Sequence, residues 1–122
     1  MLPEVFPLLA GDGEVVSMIG SAPVRAYEFG FAPQTVAVPY VTWFLSSGRP
    51  DNCLDGVAPV DEDTVQVDCW ARSRAEAKQL AQAVREAIEP EQYLTSVSGV
   101  SVDPDTKRFR ITLTFTFWTP RP

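Results

Sequence analysis

Three features of this chain carry residue types that do chemistry: the run Asp61-Glu62-Asp63, the cysteine at position 69, and "GDG" at Gly11–Gly13. Three consecutive carboxylates could share a divalent cation. The ligand spacing and turn glycine of a calcium loop are missing, however, so a solvated acidic loop is the expected state. A thiolate could act as a nucleophile, but Cys69 alternates with Val65 and Val67 and so points to their side. A thiol packed in an apolar core stays protonated and inert. Glycines cradle phosphate where a strand runs into a helix, and no strand precedes Gly11, so "GDG" reads as a helix interruption. The chain has no histidine, which removes Ser-His-Asp and Cys-His catalysis, histidine-ligated metal sites and a charge switch near neutral pH. No enzyme activity, cofactor or metal is therefore expected.

Composition narrows the classes further. A chain of 122 residues with 45% hydrophobic and 21% charged content suits one domain, residues 1–122, with a core large enough to fold unaided. Ten Lys and Arg against sixteen Asp and Glu give a formal charge of −6. This argues against a nucleic-acid-binding face, which needs clustered cations. The one basic cluster, Lys107, Arg108 and Arg110, is split by strand alternation. Cys53 and Cys69 are too few for a disulfide framework or a cysteine zinc site. Two free thiols and an intracellular folding compartment are the expectation. "MLPEVFPLLAGDGE" lacks a cationic leader and a long apolar run, so it predicts neither a secretory signal nor a membrane span.

The elements that would position any site follow from periodicity. "PEVFPLLAGDGEVVSMIG" predicts a helix opened by Pro3, with Val5, Phe6, Leu9, Val16 and Ile19 on one side. Asp12 is placed to recap it after a break. "VRAYEF" and "YVTWFLSS" predict strands. "TVQVDCWAR" predicts a third, with Val65, Val67, Cys69 and Ala71 on one face and Gln66, Asp68, Trp70 and Arg72 on the other. Ser73 and Glu76 form a capping box, after which Ala77, Leu80, Ala81, Val84, Ala87 and Ile88 recur at helical spacing until Pro90. "QYLTSVSGVSV" and "KRFRITLTFTFW" flank "DPDT" as a hairpin. The predicted fold is α+β: an antiparallel-rich sheet of about four to five strands with two helices packed on one face.

Two regions remain for a partner. Trp70 and Trp118, with Arg108 and Arg110, fall on the sheet face opposite the helices. Their rings could be covered by the same chain or could anchor an interface, where Trp and Arg are enriched. The stretch from Gly48 to Asp63 is dense in Gly, Pro and Asp and reads as a sixteen-residue loop, longer than compact domains commonly use.

"APQ" at Ala32–Gln34, "PYVTW" at Pro39–Trp43 and "VQVDCWARSRAEAKQLAQAVREAI" at Val65–Ile88 occur in an order and spacing that resembles the small tail-completion, or tail-terminator, proteins of long-tailed bacteriophages. The similarity spans nearly the whole chain, and none of its motifs is catalytic. Gly13 and Cys69 depart from the usual pattern. The resemblance implies a virion structural protein, assembled in the host cytoplasm. It would form a ring, usually of six subunits, on the head-proximal end of the tail tube. Its partners would be its own copies, the tail tube protein and the head-completion or neck proteins. Genome DNA would pass through the lumen without specific binding, and no membrane would be involved. In that setting the 48–63 loop is expected to order on a neighbouring subunit or the tube, with Leu54 and Val57 supplying apolar contact and Arg49 pairing a carboxylate; the alternative is a long hairpin that folds on its own sheet and meets nothing. The competing expectation is a monomeric α+β adaptor or binding module without catalytic activity.

Overall fold

The computed structural model describes residues 4–21, 23–28, 36–50, 60–104 and 106–120, with the backbone alone at 47–50, 60–61 and 119–120. The sheet grows from two long strands, β3 (Val60–Ala71) and β6 (Phe109–Pro120), whose sequences alternate in step. They pair antiparallel with Val65 opposite Phe115, Val67 opposite Leu113 and Cys69 opposite Ile111. All six side chains are buried on one face, because residues directly opposite in a ladder share a face. β2 (Tyr40–Pro50) pairs antiparallel with the other side of β3 and adds Val41 to the buried face. β1 (Ala26–Glu28) runs parallel to β2, while β4 (Tyr93–Val97) and β5 (Ser101–Val102) both pair with β6. The strand order is β1-β2-β3-β6-β4.

Among the described residues, three helices close the core. α3 (Arg74–Ile88) starts where expected: the Ser73 hydroxyl accepts from the Glu76 amide at 3.1 Å, and Glu76 Oε1 accepts from the Arg72 amide at 3.1 Å. Ala77, Leu80, Ala81, Ala83, Val84 and Ile88 are its buried stripe, and the small alanines let the helix lie close on β3 and β6. The first segment is two helices, α1 (Phe6–Ala10) and α2 (Gly13–Ile19), because Asp12 Oδ1 accepts from the Glu14 and Val15 amides at 3.0 and 3.1 Å and restarts the turn. The restart shifts the helical phase. Val15, rather than Val16, joins Val5, Leu9 and Ile19 in the core, and Phe6 turns outward to meet the Trp43 ring at 6.4 Å.

The α+β expectation holds, with six strands and three helices among the described residues in place of four to five and two. The added strand comes from splitting "QYLTSVSGVSV". The Ser98 hydroxyl accepts from the Thr112 amide at 2.9 Å, and three residues, Ser98–Val100, separate β4 from β5. The "DPDT" turn is one residue longer than a four-residue turn. Asp103 O accepts from the Lys107 amide at 2.8 Å, and Lys107 sits at φ +60°, in the left-handed region.

The larger correction concerns the loop read at Gly48–Asp63. Its two ends are strand: Gly48 pairs with Asp63, Arg49 with Glu62 and Pro50 with Asp61, while β6 pairs with β3 on the other side as far as Val60. Ladder hydrogen bonds on both sides of β3 outweigh a composition unfavourable to strands. A register shift between Leu45 and Ser47 lets the hairpin continue. The acidic run is accordingly not a solvated loop. Alternation sends Asp63 into the core face at 6% exposure and Glu62 to the other side, so these two cannot converge on one ion.

Candidate partner-binding face of the sheet

The helices occupy one face of the sheet. The other presents Tyr40, Thr42 and Phe44 from β2, Gln66, Asp68 and Trp70 from β3, and Arg110, Thr112, Thr114, Thr116 and Trp118 from β6, in register across the three strands. Near its middle the Thr112 hydroxyl donates to Asp68 Oδ1 at 2.6 Å, which gives that buried carboxylate a partner. At the end of the face where β3 finishes lies an aromatic and cationic group. The Tyr40 and Trp70 rings stack at 5.8 Å and 9°. Trp70 Nε1 donates to Thr42 Oγ1 at 3.1 Å. The Arg110 guanidinium lies over the Trp70 ring, and the Arg108 guanidinium over the Tyr40 ring, each 5.3 Å from the centroid.

The two arginines differ in what remains for a partner. Arg108 reaches past the end of β3 and donates to Tyr40 Oη at 3.0 Å and to the Val36 carbonyl at 3.2 Å, so it is a staple of the chain's own structure. Arg110 is exposed, and a cation on an aromatic face keeps its outer N–H groups available. Trp70 is half buried.

Trp118 stands apart. It is eight residues along β6 from Arg110, about 26 Å at strand rise. It is 43% exposed, and Tyr93 nearby on β4, opposite Thr116, is 67% exposed. Arg49 pairs in register with Glu62, which pairs with Trp118, so the backbone brings Arg49 to this second end. Leu54 and Val57 lie outside the described residues. Of the seven residues singled out from sequence, the fold thus gathers Trp70, Arg108 and Arg110 at one end and Arg49 and Trp118 at the other. Tyr40 and Tyr93 were missed as members of these groups. Tyr40 sits in "PYVTW" and Tyr93 in the period-2 run "YLTSV", and only pairing register reveals their neighbours.

Charge separates along the same axis. Arg25, Arg72, Arg74, Lys107, Arg108 and Arg110 belong to the end where β2 begins and β3 finishes. At the opposite end are Asp61, Glu62 and Asp63. α3 carries the chain back toward that end, since Tyr93, five residues after Ile88, pairs with Thr116, itself opposite Thr64. It delivers Glu86, Glu89 and Glu91 on the way. An overall negative protein thus carries most of its described cations at one end, where Glu76 pairs with Arg72 and Asp103 lies beside Arg110.

The face offers no reactive group. Cys69 is fully buried on the core side, and burial, with a smaller contribution from Asp68, holds its thiol well above the ordinary range. Among the described residues no three His, Cys, Asp or Glu side chains are grouped to hold a metal, and no helix is long and apolar enough to cross a membrane. What the arrangement can do is bind: rings, hydroxyls and charges on a stiff sheet.

Two solved structures share this fold. A chain from the virion of a native gene transfer agent (GTA) particle matches with a TM-score of 0.77 over 96% of this chain and 92% of that one, at 16% identity. The gp17 protein of bacteriophage SPP1 matches with a TM-score of 0.54 over 93% and 85%, at 19% identity. Likeness at such identities shows a shared fold. No curated protein matches. The family model described as "Tail completion protein gp17" matches residues 3–120. The chain therefore belongs to the tail completion protein gp17 family, the structural proteins that complete bacteriophage tails.

Proposed function

We propose that this protein forms a ring, of six subunits, on the head-proximal end of the phage tail tube, where it stops tube polymerisation and presents the surface that joins the head. It acts by contact, without catalysis. Its partners in this role are its own copies, the tail tube protein and a head-completion or neck protein. The observation that carries the proposal is the sheet face opposite the described helices, whose two ends, about 26 Å apart, bear different chemistry: Trp70 with Arg110 at one, Trp118 with Tyr93 at the other. A protein set between two different structures needs two unlike docking surfaces on a rigid support. The net charge of −6, repeated around a ring, gives a negative field through which DNA slides without sticking.

The 48–63 segment, with Arg49, Leu54 and Val57, supplies contacts that form on assembly. Hydrogen exchange on residues 48–63 in free subunit and assembled tail tests this, with added protection expected in the tail. The main test is a phage lacking the protein. Tubes of unregulated length, unattached to heads, are the expected phenotype under electron microscopy. Tails of normal length joined to heads would overturn the proposal. Light scattering on purified protein separates the ring from the alternative of a monomeric adaptor.

A further inference from the structure

With the two ends of the open sheet face given to tube and head, the strands run along the tube axis. Neighbouring copies then meet at the sides of the sheet. A ring closes by rotation alone. Rotation about an axis parallel to the strands keeps every residue at its own height. Residues that meet across a subunit boundary must therefore lie at one level of the sheet.

Two apolar patches meet this condition. On the β2 side, Trp43 and Leu45 lie on the helix-facing side of the sheet, since they pair with the buried Val67 and Val65. Leu45 and Phe6 are each 43% exposed, and the Phe6 ring lies 6.4 Å from that of the partly buried Trp43. On the β4 side, Leu94 and Val97 lie on the same side of the sheet, since they pair with the buried Phe115 and Leu113. The register shift at Thr95 is what turns both of them, three residues apart, to one face. Leu94 is partly buried and Val97 is 50% exposed. Among the described residues β4 pairs only with β6, and β2 beyond Trp43 only with β3, so both patches sit on edges. The ladder carries one level straight across as Trp43, Val67, Leu113 and Val97, and the next as Leu45, Val65, Phe115 and Leu94. The edges are three strand spacings apart, about 14 Å, too far for one to cover the other. Apolar side chains exposed singly are ordinary. Two patches at matched heights on opposite edges are what a ring closed by rotation requires.

We infer that the Phe6–Trp43–Leu45 patch of one copy packs on the Leu94–Val97 patch of the next copy. This contact rests on the ring proposed above and closes it, while both ends of the sheet stay open to tube and head. The patches are different surfaces, so the contact is heterologous, the kind that propagates and closes into a ring rather than stopping at a two-fold dimer. Each subunit offers both patches and uses each once. Trp43 and Phe6 supply the large rings that anchor such contacts.

Thiol cross-linking tests the contact directly. In a Cys53→Ser background, with Cys69 buried, Leu45→Cys and Val97→Cys in one chain place reactive thiols on the two edges. Assembled rings, or tails where the free protein does not assemble, are treated with a bis-maleimide too short to span the sheet. The double variant is expected to give a ladder of linked subunits on a denaturing gel, and each single variant to give none. Separately, Leu45→Asp or Val97→Asp should weaken ring assembly by roughly tenfold or more. The melting temperature should hold, because both side chains already face solvent in the free subunit. Where it falls instead, the ladder alone decides. An equimolar mixture of these two variants keeps one intact patch of each kind and should stop at dimers. Rings that give no ladder, links from a single variant to itself, links from either position to tube or neck protein, or normal rings from either charged variant would each overturn this contact and leave the ring standing. A wild-type chain that is monomeric and absent from tails would overturn the ring itself.

Discussion

Trp70 shows how one side chain can serve both a fold and a surface. Its indole stacks on Tyr40, donates to Thr42 and carries Arg110 on its face, so removing it costs internal contacts before any partner is considered. Trp70→Ala is expected to lower the stability of the free subunit by about 2–3 kcal/mol, by chemical denaturation, because a half-buried ring and a hydrogen bond are lost. Arg110→Ala removes an exposed cation and should change subunit stability by less than about 1 kcal/mol. Of the two, a docking defect without a defect in folding therefore belongs to Arg110. Cys69 gives a pH prediction. In the unfolded chain its thiol ionises near 8.5, while in the folded protein burial holds the proton on. The unfolded state then binds fewer protons at high pH, and stability falls as pH rises above that value, by up to about 1.4 kcal/mol per unit. Cys69→Val should lack this contribution, and urea titrations of both proteins from pH 7 to 10 would show the curves diverging above pH 8.5. Parallel curves would mean the thiol ionises in place.

At the scale of elements, two helix starts rest on single side chains. Ser73 caps α3 through one amide and Asp12 caps α2 through two. Loss of an N-cap costs about 1 kcal/mol, but the helices differ in length. α3 has fifteen residues and a long buried stripe, while α2 has seven. Ser73→Ala should lower the melting temperature with the core unchanged. Asp12→Ala should in addition release local order, seen as faster amide exchange at residues 13–19 than the global stability allows. Both starts were legible in the sequence, since a cap followed by an apolar period is a local signal. The path of β2 and β3 through 48–50 and 60–63 was not. Those residues are individually poor strand formers, and they are strand because β3 is flanked by β2 and β6 at that level.

Over the whole molecule the dominant feature is the separation of charge along the strand axis within a chain of net −6. Association steered by opposite ends is screened by salt, with a Debye length of about 8 Å at physiological ionic strength and about 3 Å at 1 M. Docking of the ring on tube and head should therefore slow several-fold between 50 mM and 500 mM salt, followed by time-resolved light scattering, while the melting temperature of the subunit changes little. Faster docking at high salt would point to a contact dominated by apolar burial.

From the amino-acid sequence alone came the α+β class, the core face of β3, both helix caps and the family. Each is written in neighbouring residues: a period of 2, a period of 3.6, a capping side chain, or motifs in a set order. Tertiary structure alone decided which side chains meet. That Trp70 lies between Tyr40 and Arg110, that Arg108 crosses the end of β3 to reach Val36, and that Asp63 is buried while Glu62 faces the other way all depend on strand order and register. Register is set by the summed burial of whole strands, and a shift of one residue would exchange the two faces, so no local stretch of sequence encodes it.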